Sequence, residues 1–418
     1  MVVVLAEKYT EDIKNLQGAM GQWGIEMQIS VLEDNCFLPE GITSPYEYFV
    51  SKQNRKVHEV GGLSYNFLEI PKYWELRLNG NTAGIYEMGQ KRAAVYFAEP
   101  VEKGIVQSVE WHMENGWAYK IDYYNKYGVK YASEFLDADN KVESKVYYSG
   151  QNQEAIVIQP QNNVVTLLEN GRVIALFNSF YQYIEHYYIR EIKKKDRTML
   201  FLEDEGQRNL LEMDGNGIGI WDAVVFSEKG LLEKYADVGT ENCCIFYAMP
   251  EQYPKNNASA NALILTATDQ IEQIGNLVVE LPEVSFHIAA HTQMSDGLYR
   301  LAERGNVRIY PGISEESLEG LWDTCDFYLD INHYREVDDV VNRASQENLL
   351  VMGFQNTLHH RELVIDECIY APQAYAEMAL LIKSIVNGTE AMQKLLLMQQ
   401  EKRKEAASVL QKLTESLK

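Results

Sequence analysis

The residues best suited to chemistry lie between positions 268 and 360. Asn332-His-Tyr-Arg335-Glu336-Val-Asp338-Asp339 sets an amide, a guanidinium and several carboxylates directly behind a short strand-like run, Phe327–Asp330. Ligands of open α/β sheets bind beyond the carboxyl ends of strands, so Asn332, Arg335 and Asp338 are candidate ligand contacts. A second such position, Thr268-Asp-Gln-Ile-Glu272, follows the run Ala262–Ala267. It carries acids where a diphosphate wants cations and bare amides. His359-His360 are adjacent, and adjacent side chains rarely converge on one metal, so a surface or boundary role is expected. His287 and His291 are four apart but fall on a strand followed by a loop, which separates their faces. Gly215-Asn-Gly-Ile-Gly219 has the spacing of a nucleotide loop, yet it precedes a strand rather than following one and reads as a turn. Glu203-Asp-Glu205 reads as a solvated loop, and Cys243-Cys244 as a small core pair. Lys402-Arg-Lys404, flanked by Glu401 and Glu405, reads as a salt-bridged helix face. Neither a metal nor a cofactor is called for by these patterns.

The totals narrow the function classes. With 418 residues the chain holds more than one core, and a net charge of −23 argues against a nucleic-acid partner or adhesion to an anionic membrane. No stretch approaches the length of apolar residues that a membrane span needs. Met1-Val-Val-Val-Leu5 is apolar but too short for a signal peptide, and no basic residue precedes it. Five scattered cysteines without a CxxC pair suggest neither a disulfide framework nor a zinc ribbon, so the cytoplasm is the natural compartment.

The elements that must position these residues fall into three textures. Val2–Leu5 reads as a buried strand, Thr10–Trp23 as a helix and Met27–Leu32 as a second strand. Between Tyr65 and Tyr188 lie half of all the aromatic residues, in short β-rich runs separated by turns such as Asn79-Gly80, Asn115-Gly116 and Asn170-Gly171. That texture is an antiparallel meander. Trp117–Tyr123 alternates with period two, which predicts one buried and one available face. Strand-like runs then return at Thr198–Leu202, Ala223–Phe226 and Cys243–Ala248, and after a Pro- and Asn-containing linker at Pro250–Ala260 a second series follows. It comprises Ala262–Ala267, Ser285–Ala290, Val307–Tyr310, Phe327–Asp330 and Leu349–Phe354, with a helix at Ser314–Cys325. Glu390–Leu417 reads as one amphipathic helix, with Leu395, Met398, Val409 and Leu413 among its apolar positions.

The expected architecture is α/β and glycosyltransferase-B-like: two Rossmann-like domains with an inserted antiparallel β-meander. Residues 1–64 and 190–250 make the first domain, with the C-terminal helix 390–418 able to pack back on it. Residues 65–189 make the meander, and 260–389 the second domain.

Leu32-Glu-Asp-Asn-Cys-Phe-Leu-Pro-Glu-Gly-Ile-Thr-Ser-Pro-Tyr-Glu-Tyr-Phe49 resembles the early "FLP…G…SPY.YF" stretch of the GtfB family. Asp122–Gly128, Phe286–Ala290 and Leu321–Asn332 resemble later stretches of the same family, in order along nearly the whole chain. That family comprises stabilising, acceptor-recognising subunits that pair with a catalytic GtfA subunit to glycosylate serine-rich repeat adhesins of the accessory Sec system. The resemblance implies a chaperone-like subunit of a protein O-GlcNAc transferase. It would bind a catalytic GtfA-type partner, which takes UDP-N-acetylglucosamine, and a Ser/Thr-rich repeat adhesin polypeptide. It allows self-association when the partner is absent, and a cytoplasmic protein peripheral at the inner membrane face through its complex. Asn332, Arg335 and Asp338 then become candidate acceptor contacts, in a cleft between the two Rossmann-like domains.

Retaining transferases of this fold commonly carry two Glu residues eight apart after a strand. Here Glu336 is followed at that spacing by Ala344, and Arg335 by Arg343. Together with the acidic turn at Asp269 and Glu272 and the non-glycine turn Ala6-Glu-Lys-Tyr9, this predicts no catalysis. The alternative is an active glycosyltransferase-B enzyme with a degenerate donor site.

Overall fold

The computed structural model describes residues 1–34, 37–51, 61–149, 152–189, 192–211, 220–235, 242–386 and 388–417. The glycine run 215–219 and Cys36 lie outside them. The chain divides into two compact units, the first made of residues 1–14, 24–224 and 417, the second of residues 15–23, 225–416 and 418.

The apolar amino terminus forms β1 (Val2–Ala6), all five residues buried, followed by a helix at Glu11–Gln22, β2 (Met27–Val31), the short β3 (Ile42–Thr43) and a helix at Pro45–Ser51. The aromatic region then folds as ten strands. These are β4 (Glu75–Asn79), β5 (Thr82–Glu87), β6 (Gln90–Phe97), β7 (Val106–His112), β8 (Ala118–Tyr124), β9 (Lys130–Leu136), β10 (Val142–Tyr148), β11 (Glu154–Gln159), β12 (Val164–Glu169) and β13 (Arg172–Phe177). They pair in sequence order, β4 to β13, as one antiparallel meander. The turn residues explain the tight connections: Gly80, Asn140, Asn170 and Gly171 all hold positive φ, which Asn and Gly tolerate best. Trp117–Tyr123 departs from expectation. In β8 the single buried residue is Asp122, while Trp117 and Tyr119 are exposed. Trp111 Nε1 (2.8 Å), Ser133 Oγ (2.5 Å) and Lys120 Nζ (2.9 Å) all donate to the Asp122 carboxylate, so its burial costs no unmet charge.

Beyond the meander come β14 (Arg197–Leu202), β15 (Ala223–Phe226) and β16 (Cys243–Ile245). The last is shorter than the apolar run Cys243–Ala248 suggests. The first sheet has the order β16-β15-β14-β1-β2-β3. β17 (Asn261–Leu265), β18 (Ser285–Ala290), β19 (Val307–Pro311), β20 (Phe327–Asp330), β21 (Leu350–Phe354) and β22 (Ile369–Tyr370) form the second sheet, ordered β19-β18-β17-β20-β21-β22 with every pair parallel. Counted within each sheet, both orders are 3-2-1-4-5-6, that of a dinucleotide-binding fold. The strands of the second sheet are apolar almost throughout because helices cover both faces. Ser314 caps the helix Glu315–Thr324, its hydroxyl accepting the N–H of Ser317 (3.3 Å), and that helix buries Leu318, Leu321 and Trp322.

The C-terminal helix runs Thr389–Ser416. Its buried residues are Met392, Leu396, Gln399, Arg403, Ala406, Ala407, Leu410 and Thr414, one position beyond the apolar residues read from the sequence. Val409 is half exposed, and Leu395 and Met398 are only partly buried. Among the described residues no helix is long and apolar enough to cross a membrane.

Candidate functional site

In a 3-2-1-4-5-6 sheet the ligand crevice opens where the strand order reverses, between the first and fourth strands. The chain has two such points, and they are built in opposite ways.

In the first sheet the reversal lies between β1 and β14, and a cavity of about 750 Å³ opens there, wholly within the first unit. The ends of β1, β2 and β14 supply Glu7, Glu33, Asp34 and Asp204. Meander strands β9 to β11 supply Glu134, Lys145, Tyr147 and Ile158 from the other side, and Phe180 and Tyr181 close one end. Five carboxylates therefore face one lysine, and Glu134 already holds that lysine at 2.9 Å. Burial, with Asp204 beside it, raises the Glu7 carboxyl above its ordinary range. Burial does the same to neighbouring Glu203; a hydrogen bond from Thr10 opposes the shift, and surrounding carboxylates add to it. Such a lining repels phosphate and accepts hydrogen bonds from hydroxyl and amide donors.

The walls of this cavity meet through Leu32–Phe49, the stretch that carried the early family resemblance, and residues of the meander and the helix that follows it. Tyr131 donates to Asp34 Oδ2 at 2.5 Å, and Ser44 donates to the same oxygen at 2.9 Å. Lys126 donates to the carbonyl of Leu38 (2.8 Å), and Tyr183 to that of Pro45 (2.8 Å). Tyr46 stacks on Tyr147 with centroids 4.4 Å apart. A meander docked on a Rossmann-like sheet needs those residue types at both ends of the joint. No local pattern in the sequence pairs residues 88 to 138 positions apart.

In the second sheet the reversal lies between β17 and β20, and here the crevice is closed. An isolated bridge joins Ile271 to Asn332. The N–H of Glu272 donates to Ile331 O (2.7 Å), and that of His333 to Gln270 O (2.9 Å). Glu272 also holds His333 (2.9 Å) and Asn356 (3.1 Å), and these bonds draw its carboxyl below the usual range despite the opposing effect of burial. The acidic turn expected to reject a diphosphate thus bonds across the gap instead. The expected trio separates accordingly. Asn332 is 1% exposed, its backbone forms the bridge, and its side-chain amide is buried without a hydrogen-bond partner among the described residues. Arg335 and Asp338 are exposed, and Asp338 pairs with His291 at 2.5 Å. His287 is buried against the Tyr310 hydroxyl (2.9 Å), apart from that pair.

Behind this loop lies a charged cluster that the sequence reading missed. His360 is fully buried rather than at a surface or boundary, its Nε2 2.9 Å from Glu336 and 3.0 Å from Asp339. These three residues could each offer one metal-ligand atom within 4.8 Å of the others. The Tyr247 hydroxyl gives its one proton to Glu362 (2.6 Å), so His360 Nδ1, 3.0 Å from that hydroxyl, must donate to it. With Nε2 between the Glu336 and Asp339 carboxylates also donating, the ring is an imidazolium. Burial works against this charge, and hydrogen bonds to Asp339, Glu336 and Glu362 outweigh it, so the pKa stands well above the ordinary value. His359 repeats the pattern, Nδ1 on Asp330 (2.6 Å) and Nε2 on Tyr334 O (2.8 Å); its pKa is pushed up to about 8 because the Asp330 hydrogen bond overcomes burial.

Arg403 completes the cluster. Its guanidinium, fully buried, donates to Ala248 O (2.7 Å) and Asn342 Oδ1 (2.7 Å). Of the basic triplet, Lys404 pairs with Glu401 as a surface helix pair should, whereas Arg403 does not. Its place in the helical stripe 396, 399, 403, 407 was the available signal.

The sequence matches the GtfB N-terminal domain over residues 3–49, the GtfB middle domain over 74–178 and the GftB/GlyA-F C-terminal domain over 262–399. A UDP-N-acetylglucosamine–peptide N-acetylglucosaminyltransferase stabilizing protein GtfB of Streptococcus agalactiae is 28% identical, over 92% of both chains. The protein of the same name from Streptococcus parasanguinis is 30% identical over 86% of this chain and 87% of its own. A chain of a GtfA/B complex crystallised with UDP and GlcNAc superposes with a TM-score of 0.50 at 25% identity, covering 99% of both chains. Relatives of this identity that run nearly end to end, with all three domain matches in order, make the chain a member of the GtfB family.

Proposed function

We propose that this chain is the non-catalytic, stabilising and acceptor-recognising subunit of a protein O-GlcNAc transferase complex, acting beside a catalytic GtfA-type subunit in the cytoplasm. Near-full-length relationship to stabilising proteins carries the first half of this reading. The contrast between the two crevices carries the second: the one in the second sheet is bridged at Ile271–Asn332, and the open one is acidic. Neither suits a nucleotide diphosphate. The open cavity suits a Ser/Thr-rich polypeptide, whose hydroxyl and amide protons need acceptors. A flexible repetitive acceptor binds weakly per repeat and gains through the number of repeats in reach. The exposed Arg335 and Asp338 remain proposed secondary contacts for that chain. The meander is proposed to hold the catalytic subunit.

The test uses purified chain, catalytic subunit and a Ser/Thr-rich peptide. The chain alone should release no UDP from UDP-N-acetylglucosamine above a protein-free control, yet should capture the peptide. Glu7→Gln with Asp204→Asn should weaken capture while leaving the complex with the transferase intact. UDP release by the chain alone would favour an active enzyme with an unconventional donor site, and unaltered capture would remove the acceptor from this cavity.

A further inference from the structure

The meander ends on an edge that is unusually bare. β13 pairs only with β12, and among the described residues no strand covers its other side. Val173, Ile174 and Leu176 are 60%, 51% and 60% exposed. Natural sheets blunt such edges with lysine, proline or a covering loop, because unpaired N–H and C=O groups flanked by apolar side chains template another strand. Here Arg172 and one register irregularity opposite Leu167–Leu168 are the guards.

This edge is continuous with the acidic cavity. The registers set Glu134, Lys145, Ile158, Val165 and Phe177 in one cross-strand row. The first three line the cavity, and the last stands on the edge strand. Three residues beyond Phe177 the chain reaches Phe180, which lines the cavity again. A strand added to β13 would extend the row at about 14 Å from Ile158, at roughly 4.8 Å per strand.

We infer that β13 is a docking edge for the acceptor polypeptide, which adds as an eleventh, extended strand and is led by it to the cavity. The inference rests on the acceptor reading above and deepens it. Backbone pairing is indifferent to side chains, which suits a repetitive substrate whose Ser and Thr residues change as they are modified. The apolar edge residues pack the Ala and Thr methyl groups of such a chain. A strand of the catalytic subunit, or a second copy of this chain, would satisfy the same backbone groups, and the test separates them.

The probe is a fluorescein-labelled Ser-Thr-Ala repeat peptide, read by anisotropy on the full-length chain. A second peptide carries backbone N-methyl groups on four consecutive central residues, so that no shift of register restores a ladder. The methylated peptide should bind about tenfold or more weakly, the scale of one or two lost hydrogen bonds. Ile174→Lys with Leu176→Lys should lower capture of the unmethylated peptide by a similar factor, with an unchanged circular dichroism spectrum and unchanged co-purification of the catalytic subunit. Equal binding of both peptides, or undiminished capture by the lysine variant, overturns the docking edge while leaving the cavity reading intact. Protection of residues 172–177 from hydrogen exchange by the catalytic subunit alone, or dimerisation abolished by the lysines, assigns the edge to those occupants and overturns it too. Failure of the wild-type chain to capture either peptide sinks the acceptor reading itself, and the inference with it.

Discussion

Replacing His360 by Leu should destabilise the second unit by several kcal/mol. The wild-type imidazolium donates to Glu336 (2.9 Å), Asp339 (3.0 Å) and Tyr247 (3.0 Å) from a fully buried position. Removing it leaves two largely buried carboxylates facing one another with no cation between them. Breaking a buried ion pair from one side costs about 3–5 kcal/mol, because the abandoned charge keeps its desolvation penalty. For a unit of this size that corresponds to a melting point lower by roughly 10 °C. Adding Glu336→Gln and Asp339→Asn should recover much of the loss, since the penalty is charge left behind rather than volume removed. The sign with pH follows from the shifts. His360 is raised above 6.5, so its stabilisation is fully present below that value and fades as pH climbs through the raised one. Glu362 is lowered from 4.5 by its His360 and Tyr247 hydrogen bonds against burial, so its share is lost as pH falls. Asp339, raised by burial, acts in the opposite sense, its ionisation being a cost that acid relieves. The wild-type advantage should therefore be greatest between about pH 4.5 and 6.5 and shrink under alkaline conditions. Amide exchange of segment 243–248 and of the C-terminal helix reads this unit specifically. An opening free energy within about 0.5 kcal/mol of wild type, a surface-mutation value, would refute the buried imidazolium.

The other predictions concern the first unit and assembly. Tyr131→Phe removes a charge-assisted bond to Asp34 and should cost about 1.5–3 kcal/mol in urea unfolding; a smaller loss than about 0.5 kcal/mol would mean that the joint does not depend on it. Acceptor capture should fall on acidification above the ordinary carboxylate range, because Glu7 protonates early and exchanges an acceptor position for an O–H donor; a flat profile from pH 7 to 5 counts against its role. For the same reason Glu7→Gln should raise stability at neutral pH, since an ionised carboxylate with a raised pKa is a cost that the amide avoids. Deleting residues 65–188 should abolish co-purification with the catalytic subunit, and equal yield would contradict the interface assigned to the meander.

Much of the architecture was legible because it rests on local periodicity. Val2–Ala6 and Phe327–Leu329 are apolar throughout because strands of a covered parallel sheet have no solvent face. Ser314 marked a helix start by cap chemistry, and Asn170-Gly171 a hairpin by positive φ. Other features depend on distances that no window of sequence contains. His360 and Arg403 read as surface residues because charge favours water on average. Only tertiary packing sets Glu336, Asp339 and the Ala248 carbonyl around them, and so makes burial affordable. Asn332 follows a strand, and the backbone bridge that ties it to Ile271 joins residues about sixty positions apart. The acidic cavity is the strongest case. Glu7, Asp34, Glu134 and Asp204 are scattered over two hundred residues. Their carboxylates converge only because the strand order reverses between β1 and β14, and because the meander inserted between those strands folds back over the reversal.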